Sequence, residues 1–183
     1  ENKSENLYFH ELDITEEKNV KNFYDEVKSN FNGLDHLINN AGIATLNLCK
    51  DLSVEDWDLV MRVNLRGMFL MTKHAIPIFN DKGSILNISS QAARRAQRFT
   101  SHYNASKMGV IGFTRAVALE LAPKIRVNGI ALGPTLKNKR QSKKHFQKQY
   151  LATPLRRQVD VEQICNAVDF FIKNKSITGQ VLA

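Results

Sequence analysis

The chain of 183 residues contains little cysteine, proline or tryptophan, with two, four and one residue respectively. Two cysteines cannot build a disulfide framework, and Cys49 and Cys165 lack the paired spacing of a zinc site. We therefore predict two free thiols in a reducing compartment, with the cytoplasm as the location, and no bound metal. No run approaches the ~20 apolar residues of a membrane span, and the first residues do not resemble a signal peptide, so we expect no membrane association.

Acidic residues are absent from residues 136–157, which we call the basic segment. It contains eight cations, namely Lys137, Lys139, Arg140, Lys143, Lys144, Lys148, Arg156 and Arg157, and it accounts for the whole net charge of +8. Such a cluster is either a solvated helix face or a surface that attracts an anionic substrate or the phosphates of a cofactor. Nucleic acid is the least supported partner, because only Phe146 and Tyr150 place aromatic rings among the cations and no nucleic-acid motif is present.

Apolar residues follow an alternating order of strands and helices. Residues 7–12 alternate and predict a strand that ends at Asp13, before a helix that Thr15 can cap. Further strands are predicted at residues 34–38, 85–88, 125–131 and 180–182, with helices beginning near Thr15, Ser53, Tyr103 and Asp160 and a helical excursion within the basic segment. Five strands that alternate with helices predict a single α/β domain with a mostly parallel sheet, because parallel neighbours need a crossover helix.

Polar and small residues follow these strands where each one ends. They are Asp13 after the first strand, Asn40-Ala41-Gly42 after the second, Ser90 after the third and Gly133-Pro134 after the fourth. Ligands of open α/β sheets bind outside the carboxyl ends of the strands. The sequence therefore predicts a ligand site at this edge of the sheet.

Four motifs in a fixed order resemble the short-chain dehydrogenase/reductase family over essentially the whole chain. They are Asn39-Asn40-Ala41-Gly42, Asn64, Ser90 and Tyr103-Asn104-Ala105-Ser106-Lys107. The resemblance implies a Rossmann-like, doubly wound domain over residues 1–183 and an NAD(P)-dependent reduction of a carbonyl or oxidation of an alcohol. It implies either NADP or NAD as cofactor, a small-molecule substrate, and a homotetramer or dimer with the Tyr103 helix at a subunit interface.

The resemblance also implies roles for individual residues. Tyr103 is the expected general acid/base, Ser90 holds the substrate oxygen, and Asn64 bends its helix and anchors a relay water. Positions i and i+4 share one face of a helix, so the Lys107 ammonium can favour the phenolate of Tyr103 by its charge. Asp13, Ile14, Asn40, Ala41, Gly42 and Thr135 are the expected cofactor contacts, together with Tyr103 and Lys107, and the basic segment occupies the position of the substrate lid.

Four of these assignments have an alternative, either a competing residue or a purely structural role. Tyr24 and Lys28 repeat the tyrosine–lysine spacing on the first helix, but no suitable serine precedes them, so we interpret them as structural or solvated. Ser89 competes with Ser90, although the spacing to Tyr103 favours Ser90. Asn64 can be a satisfied core amide and Asp13 a helix cap.

The resemblance further implies a glycine-rich strand-helix-strand unit before residue 7 and an aspartate with glycines after Ala183. Neither is present, so we expect a longer native protein with a partial sheet in this chain. Pteridine-reductase-like activity and reduction of oxoacyl carriers are narrower alternatives for the function. A rival of another class is a non-catalytic remnant that acts through oligomer or basic-surface contacts.

Overall fold

The structure, a computed structural model, describes residues 7–138 and 141–183. In this part of the chain one parallel sheet has the order β1-β2-β3-β4, formed by Leu34–Asn39, Phe79–Ser90, Ile125–Leu132 and Val181–Leu182. The α-helices are α1 (Glu17–Asn30), α2 (Val54–Met61), α3 (Met68–Ala75), α4 (Ser101–Leu121), α5 (Lys143–Leu151) and α6 (Val161–Lys173), and a π-turn, Arg62–Gly67, joins α2 to α3. None of these helices has the length and apolar character needed to cross a membrane.

Helices cover both faces of the sheet. Successive residues of a strand point to opposite faces, so Ile85 of β2 packs in the core beneath α1, α3 and α4, while Leu86 packs in a second core beneath α6. Val20 and Phe171 are the buried anchors of α1 and α6 in these two cores. This arrangement confirms the predicted α/β fold, and it turns the carboxyl ends of β1, β2 and β3 toward one edge.

The predicted strand at residues 7–12 is wrong. Its side chains pack on α1 instead: the ring centroids of Tyr8 and Phe31 are 5.0 Å apart, and those of His10 and Phe23 are 5.1 Å apart. A strand needs a hydrogen-bonded neighbour as well as alternation, and residues 7–12 have none among the described residues. The predicted sheet of five strands therefore has four there, and Asp13 lies in the turn before α1 rather than at a strand end.

Two of the predicted helix starts are confirmed and two are shifted. The Ser53 hydroxyl accepts a hydrogen bond from the Asp56 N–H at 3.1 Å, and Asp160 caps α6 by accepting from the Glu162 N–H at 3.3 Å. The cap of α1 is Glu16 rather than Thr15, and α4 begins at Ser101, two residues before the predicted start. In the basic segment, the predicted helix is α5, while Lys139 and Arg140 lie outside the described residues.

Candidate active site

A cleft of about 370 Å³ lies at the carboxyl ends of β1, β2 and β3. It brings together Asn40, Gly42, Ser90, Tyr103, Lys107 and Thr135 of the predicted site. Asp13, Ile14, Ala41 and Asn64 are not among the residues that line it. The predicted edge of the sheet therefore does hold a polar cleft, with part of the predicted set around it.

Lys107 is a buried cation beside Tyr103. Its side chain is 5% exposed, and its Nζ donates a hydrogen bond to the Ile88 carbonyl oxygen at 2.8 Å. The same Nζ lies 6.0 Å from the centroid of the Tyr103 ring. Burial lowers the pKa of Lys107 from 10.5 to about 8, because the charged form loses hydration. An ammonium has three N–H groups, so two remain for partners in the cleft.

The two adjacent serines at the end of β2 differ in what their hydroxyls can do. Ser89 is 3% exposed, and its Oγ donates to the Lys107 carbonyl oxygen at 2.8 Å. Ser90 Oγ instead accepts from the Ala92 N–H at 3.1 Å. The Ser90 hydroxyl therefore keeps its own hydrogen for a group in the cleft, whereas the hydrogen of Ser89 is already used.

Asn64 lies in the π-turn and fastens two elements together. Its Oδ1 accepts from the Ile43 N–H at 2.7 Å, and its Nδ2 donates to the Ile43 carbonyl oxygen at 2.9 Å and to Ser106 Oγ at 3.0 Å. A π-turn inserts one residue into the helix and turns this side chain toward the loop after β1. Both amide hydrogens are used, so these contacts describe a clamp between that loop and α4.

Gly42 provides space beside two of these polar groups. A Cβ added to Gly42 would lie 3.2 Å from Lys107 Nζ and 3.3 Å from Asn64 Oδ1. Such distances are tighter than ordinary van der Waals contact, so a side chain would crowd both groups. The glycine keeps open the approach to the buried ammonium.

Asp13 and Ile14 lie in the turn before α1. The Asp13 carboxylate is exposed and accepts from the Thr15 N–H at 2.8 Å, which holds the pKa of Asp13 below its usual value. The Ile14 side chain packs against the π-turn, where a Cβ on Gly67 would lie 2.8 Å from Ile14 Cδ1. The Asp13 carboxylate therefore orders the turn rather than capping α1, and Ile14 packs against the larger core, while their expected contact with the cofactor stays a prediction.

A buried chain of amides was missed by sequence reasoning. Asn39 donates to Asn87 Oδ1 at 2.9 Å and to Thr72 Oγ1 at 3.2 Å, and Asn87 donates to Thr114 Oγ1 at 3.0 Å. These bonds connect β1, β2, α3 and α4 beneath the cleft. The available signal was Asn87, an asparagine within the predicted strand at residues 85–88 that is otherwise apolar.

Residues of the basic segment close one side of the cleft. Gln141, Phe146 and Gln149 line it, and the Gln141 amide donates to Gln149 Oε1 at 2.9 Å. Phe146 is the buried residue of α5. Sequence reasoning did not place these three residues in the cleft, because the cations dominate the pattern of the basic segment. The two amides and the ring nevertheless line the cleft.

The alternative pair Tyr24 and Lys28 lies away from the cleft on α1. Tyr24 is 4% exposed, its hydroxyl has no hydrogen-bond partner in the described part of the chain, and burial raises its pKa. Tyr24 is therefore a core residue.

A parallel sheet with helices on both faces and a polar cleft at the carboxyl ends of its strands defines a Rossmann-like, nucleotide-binding class of fold. The chain belongs to the short-chain dehydrogenase/reductase family of NAD(P)-dependent oxidoreductases. A family profile described as enoyl-(acyl carrier protein) reductase matches residues 1–183. The 3-oxoacyl-[acyl-carrier-protein] reductase of Buchnera aphidicola subsp. Baizongia pistaciae is 38% identical over 178 residues, which cover 93% of this chain and 73% of that protein.

Solved structures agree with this assignment. The FolM alternative dihydrofolate reductase 1 of Brucella canis, complexed with NADP, has a TM-score of 0.86 and 29% identity over 93% of this chain and 68% of its own. An NAD+-bound xylitol dehydrogenase has a TM-score of 0.85 and 28% identity over 94% and 76%. The family resemblance, the Rossmann-like fold and a nicotinamide dinucleotide cofactor are thereby confirmed, with both forms of the cofactor represented.

Proposed function

We propose that this protein reduces a carbonyl group, or oxidises the corresponding alcohol, with Tyr103 as general acid/base. The observation that carries the proposal is the meeting of Ser90, Tyr103 and Lys107 in one cleft. Carbonyl reduction requires a donor that fixes the carbonyl oxygen, a proton for the developing alkoxide and a cation that stabilises the resulting phenolate. The three side chains supply these functions in that order.

When bound, the reduced dinucleotide would supply a hydride to the carbonyl carbon, and the oxidised dinucleotide would accept a hydride from the alcohol carbon. Ser90 donates its free hydroxyl hydrogen to the carbonyl oxygen and orients it. As the C=O π bond breaks, the Tyr103 hydroxyl gives its proton to that oxygen, so the carbonyl gains one hydride and one proton. Solvent then restores the proton to the phenolate.

Lys107 makes the loss of the Tyr103 proton less costly. Its ammonium lies next to the Tyr103 ring in a water-poor position, where a charge acts more strongly than in bulk solvent. The hydrogen bond to the Ile88 carbonyl fixes the cation at the end of β2. Lys107 therefore acts on the proton transfer through charge and position.

The residues around Lys107 fit a dinucleotide. Gly42 leaves room for hydroxyl groups of a ribose beside the two unused N–H groups of the ammonium. Asn40 and Thr135 line the same cleft on either side. We assign Asn40, Ala41, Gly42, Tyr103, Lys107 and Thr135 to the cofactor, and place Asp13 and Ile14 at its adenine end through the turn that they form.

The relatives point to a 3-oxoacyl thioester as the first substrate class to test. Four relatives, at 34 to 38% identity, are 3-oxoacyl-[acyl-carrier-protein] reductases. The basic segment, with no acidic residue, suits an anionic substrate or carrier. A dihydropteridine is the second candidate, because the neighbour from Brucella canis is called an alternative dihydrofolate reductase.

The test measures oxidation of NADPH and of NADH by the full-length protein with acetoacetyl-coenzyme A, dihydrobiopterin and an aldose. Turnover of the thioester supports the primary proposal, and turnover of the pterin alone moves the assignment to the second candidate. Binding of neither cofactor would instead support a non-catalytic remnant. The preferred cofactor follows from the ratio of kcat/KM for NADPH and NADH.

We also propose self-association into a dimer or tetramer through the outer face of α4. Leu119 and Met108 of α4 are 83% and 49% exposed, and Phe69 of α3 is 42% exposed beside a groove lined by Phe113 and Leu65. Exposed apolar side chains of this kind suit a protein partner, and a second copy presents the same face. Light scattering at micromolar concentration tests the assignment, which a monomer would contradict.

A cytoplasmic location is the remaining proposal. Cys49 and Cys165 are both free and exposed thiols, which suits a reducing compartment. Fractionation of the native cells, with an antibody against the protein, tests it.

A further inference from the structure

One fully buried imidazole lies directly beside the proposed acid/base. His102 is 0% exposed, and its Nε2 lies 2.6 Å from the hydroxyl oxygen of Thr45. Its other nitrogen, Nδ1, is buried with no hydrogen-bond partner among residues 7–138 and 141–183. An unpaired buried nitrogen costs stability that an apolar side chain of similar size would avoid. Packing alone therefore does not account for a histidine at this position. The contribution of the imidazole is its hydrogen bond with Thr45.

Thr45 belongs to the loop that follows β1 and forms part of the cleft wall. Ile43 and Ala44, the two residues before it, line the cleft. On the other side of the contact, His102 stands in the first turn of α4, immediately before Tyr103. The hydrogen bond thus joins the wall of the cleft to the turn that carries the proposed acid/base.

A second bond beside the first fixes the same two segments. The Asn47 N–H donates to the Phe99 carbonyl oxygen at 2.9 Å. Phe99 has a φ of +69°, a left-handed conformation that non-glycine residues rarely adopt. Such conformations persist where the surrounding structure determines them, and they cluster at functional sites. The segment before α4 is therefore held in an uncommon shape next to the Thr45–His102 contact.

Burial also disfavours the charged form of the imidazole. It lowers the pKa of His102 below the ordinary 6.5, against an opposing effect of the Asp56 carboxylate. Neutral imidazole has one donor and one acceptor nitrogen, so Nε2 and the Thr45 hydroxyl can pair in either sense.

We propose that His102 is a positioning residue, which through its hydrogen bond to Thr45 fixes the cleft wall against α4 and so holds Tyr103 in place for proton transfer. This inference rests on the proposed function of Tyr103. Displacing a reacting group by about 1 Å can lower a rate by about 10²-fold, and a smaller shift lowers it less. Loss of the bond should therefore lower kcat by about tenfold while the cofactor site at Gly42 and Lys107 stays intact.

The experiment compares pairs of variants that differ in this bond alone. Thr45→Val and His102→Leu remove it with little change in volume, whereas Thr45→Ser and His102→Gln retain a group that can make it. We expect the first pair to lower kcat about tenfold, with an unchanged Kd for the reduced dinucleotide measured by its fluorescence. The second pair should recover most of kcat, and the double variant T45V/H102L should be no slower than the slower single variant.

Ser101→Ala is the matched control, because it removes a buried hydroxyl in the same turn that has no partner in the described residues. It should leave kcat unchanged. Equal kcat in T45V, H102L and the unmodified protein would overturn the inference, as would equal losses in T45V and T45S. If the unmodified protein itself transfers no hydride with any substrate, the proposed function fails instead, so the two failures are distinguishable.

Discussion

The floor of the cleft and the basic segment differ in where their positive charges lie. The cleft floor, formed by the end of β2, the first turns of α4 and the π-turn, contains one buried cation, Lys107, within a set of paired polar groups. The six cations of the basic segment that the structure describes are exposed, Lys143 and Lys144 among them. Surface charges are screened over ~8 Å at physiological salt, whereas buried ones act at nearly full strength. On the proposed mechanism, the buried lysine therefore acts on the proton transfer, and the exposed cations contribute only to the local field.

The sharpest test of the cleft floor is Tyr103→Phe, which removes one oxygen. We expect kcat to fall by about 10²- to 10⁴-fold, the usual contribution of a general acid. The Kd of the dinucleotide should change little, because Lys107 and Gly42, its other contacts beside Tyr103, are unchanged. Steady-state assays of cofactor oxidation measure kcat, and a fluorescence titration with the reduced dinucleotide measures its Kd.

Tyr24→Phe is the control for that experiment, since Tyr24 also precedes a lysine by four residues. Its hydroxyl is buried and has no partner in the described chain, so its removal should leave kcat unchanged and stability equal or slightly higher. A loss of turnover in Y24F as large as that in Y103F would contradict the assignment of the acid/base.

Asn87→Ala tests the paired polar groups beneath the cleft. The change leaves the half-buried Asn39 without one acceptor and the buried Thr114 without one donor. We expect a loss of about 2 to 3 kcal/mol in the free energy of unfolding, since a buried group left without its partner costs ~1 to 3 kcal/mol and a half-buried one less. Urea denaturation measures it.

Asn80→Ala, at the start of the same strand, is the matched control. Asn80 donates to the exposed Asp35 carboxylate at 3.0 Å, where water can replace the bond. Its removal should change stability by about 0.5 kcal/mol or less. Equal effects of the two substitutions would show that burial of the amide chain is energetically unimportant.

Lys107→Met tests the buried cation through the pH dependence of stability. The folded-state pKa of Lys107, about 8, lies below its ordinary 10.5, so the folded protein binds this proton less tightly than the unfolded chain. The stability of the unmodified protein should therefore rise with pH between about 8 and about 10.5, and the penalty is complete below 8. We expect K107M to be more stable at pH 7 by about 2 kcal/mol, after allowing ~1 kcal/mol for the lost hydrogen bond.

That advantage of K107M should shrink as the pH approaches 10, while its turnover stays far below that of the unmodified protein. Urea unfolding of both proteins from pH 7 to pH 10 provides the comparison, and Tyr24, present in both, cancels. Stability curves that run parallel over this range would show that Lys107 does not titrate as a buried cation.

The smallest effect is expected in the basic segment, from the double substitution Lys143→Gln and Lys144→Gln. These cations lie in the first turn of α5, where the helix dipole disfavours positive charge, so stability should change by only a few tenths of a kcal/mol. The KM for an anionic thioester should rise at low salt and match that of the unmodified protein at high salt. Lys18→Gln with Lys21→Gln on α1 makes the same change in net charge elsewhere, and an equal rise in KM there would remove any local role for the segment.

Local signals explain which parts of the fold the sequence predicts. Periodic apolar residues locate α4 and β3 to within two residues, and cap residues such as Ser53 mark helix starts. Residues 7–12 show the limit of such signals, because alternation does not say whether a partner strand is available. Side chains that alternate can equally well pack on a helix, as Tyr8 and His10 do.

The candidate site likewise has one part that sequence patterns predict and one part that they do not. The order of the four motifs predicts the pair Tyr103 and Lys107, since Tyr24 and Lys28 have the same spacing, and the choice between Ser90 and Ser89 remains a prediction that their different hydrogen bonds support. The amide chain could not be predicted, since Asn39 and Asn87 are 48 residues apart and meet only through the register of β1 with β2. The contact of Thr45 with His102 depends in the same way on packing between distant segments.

The π-turn between α2 and α3 also constrains how this protein can change. It holds one residue more than a regular helix of the same span, so deleting Val63 would restore ordinary α-helical pairing. The deletion would also rotate Asn64 and the turns after it by about 100° relative to α2, and so carry Asn64 away from Ile43 and Ser106. Neutral mutation, or engineering for thermal stability, could therefore produce a shorter and more regular helix. Such a helix would lose the Asn64 bonds that hold the loop after β1 against α4.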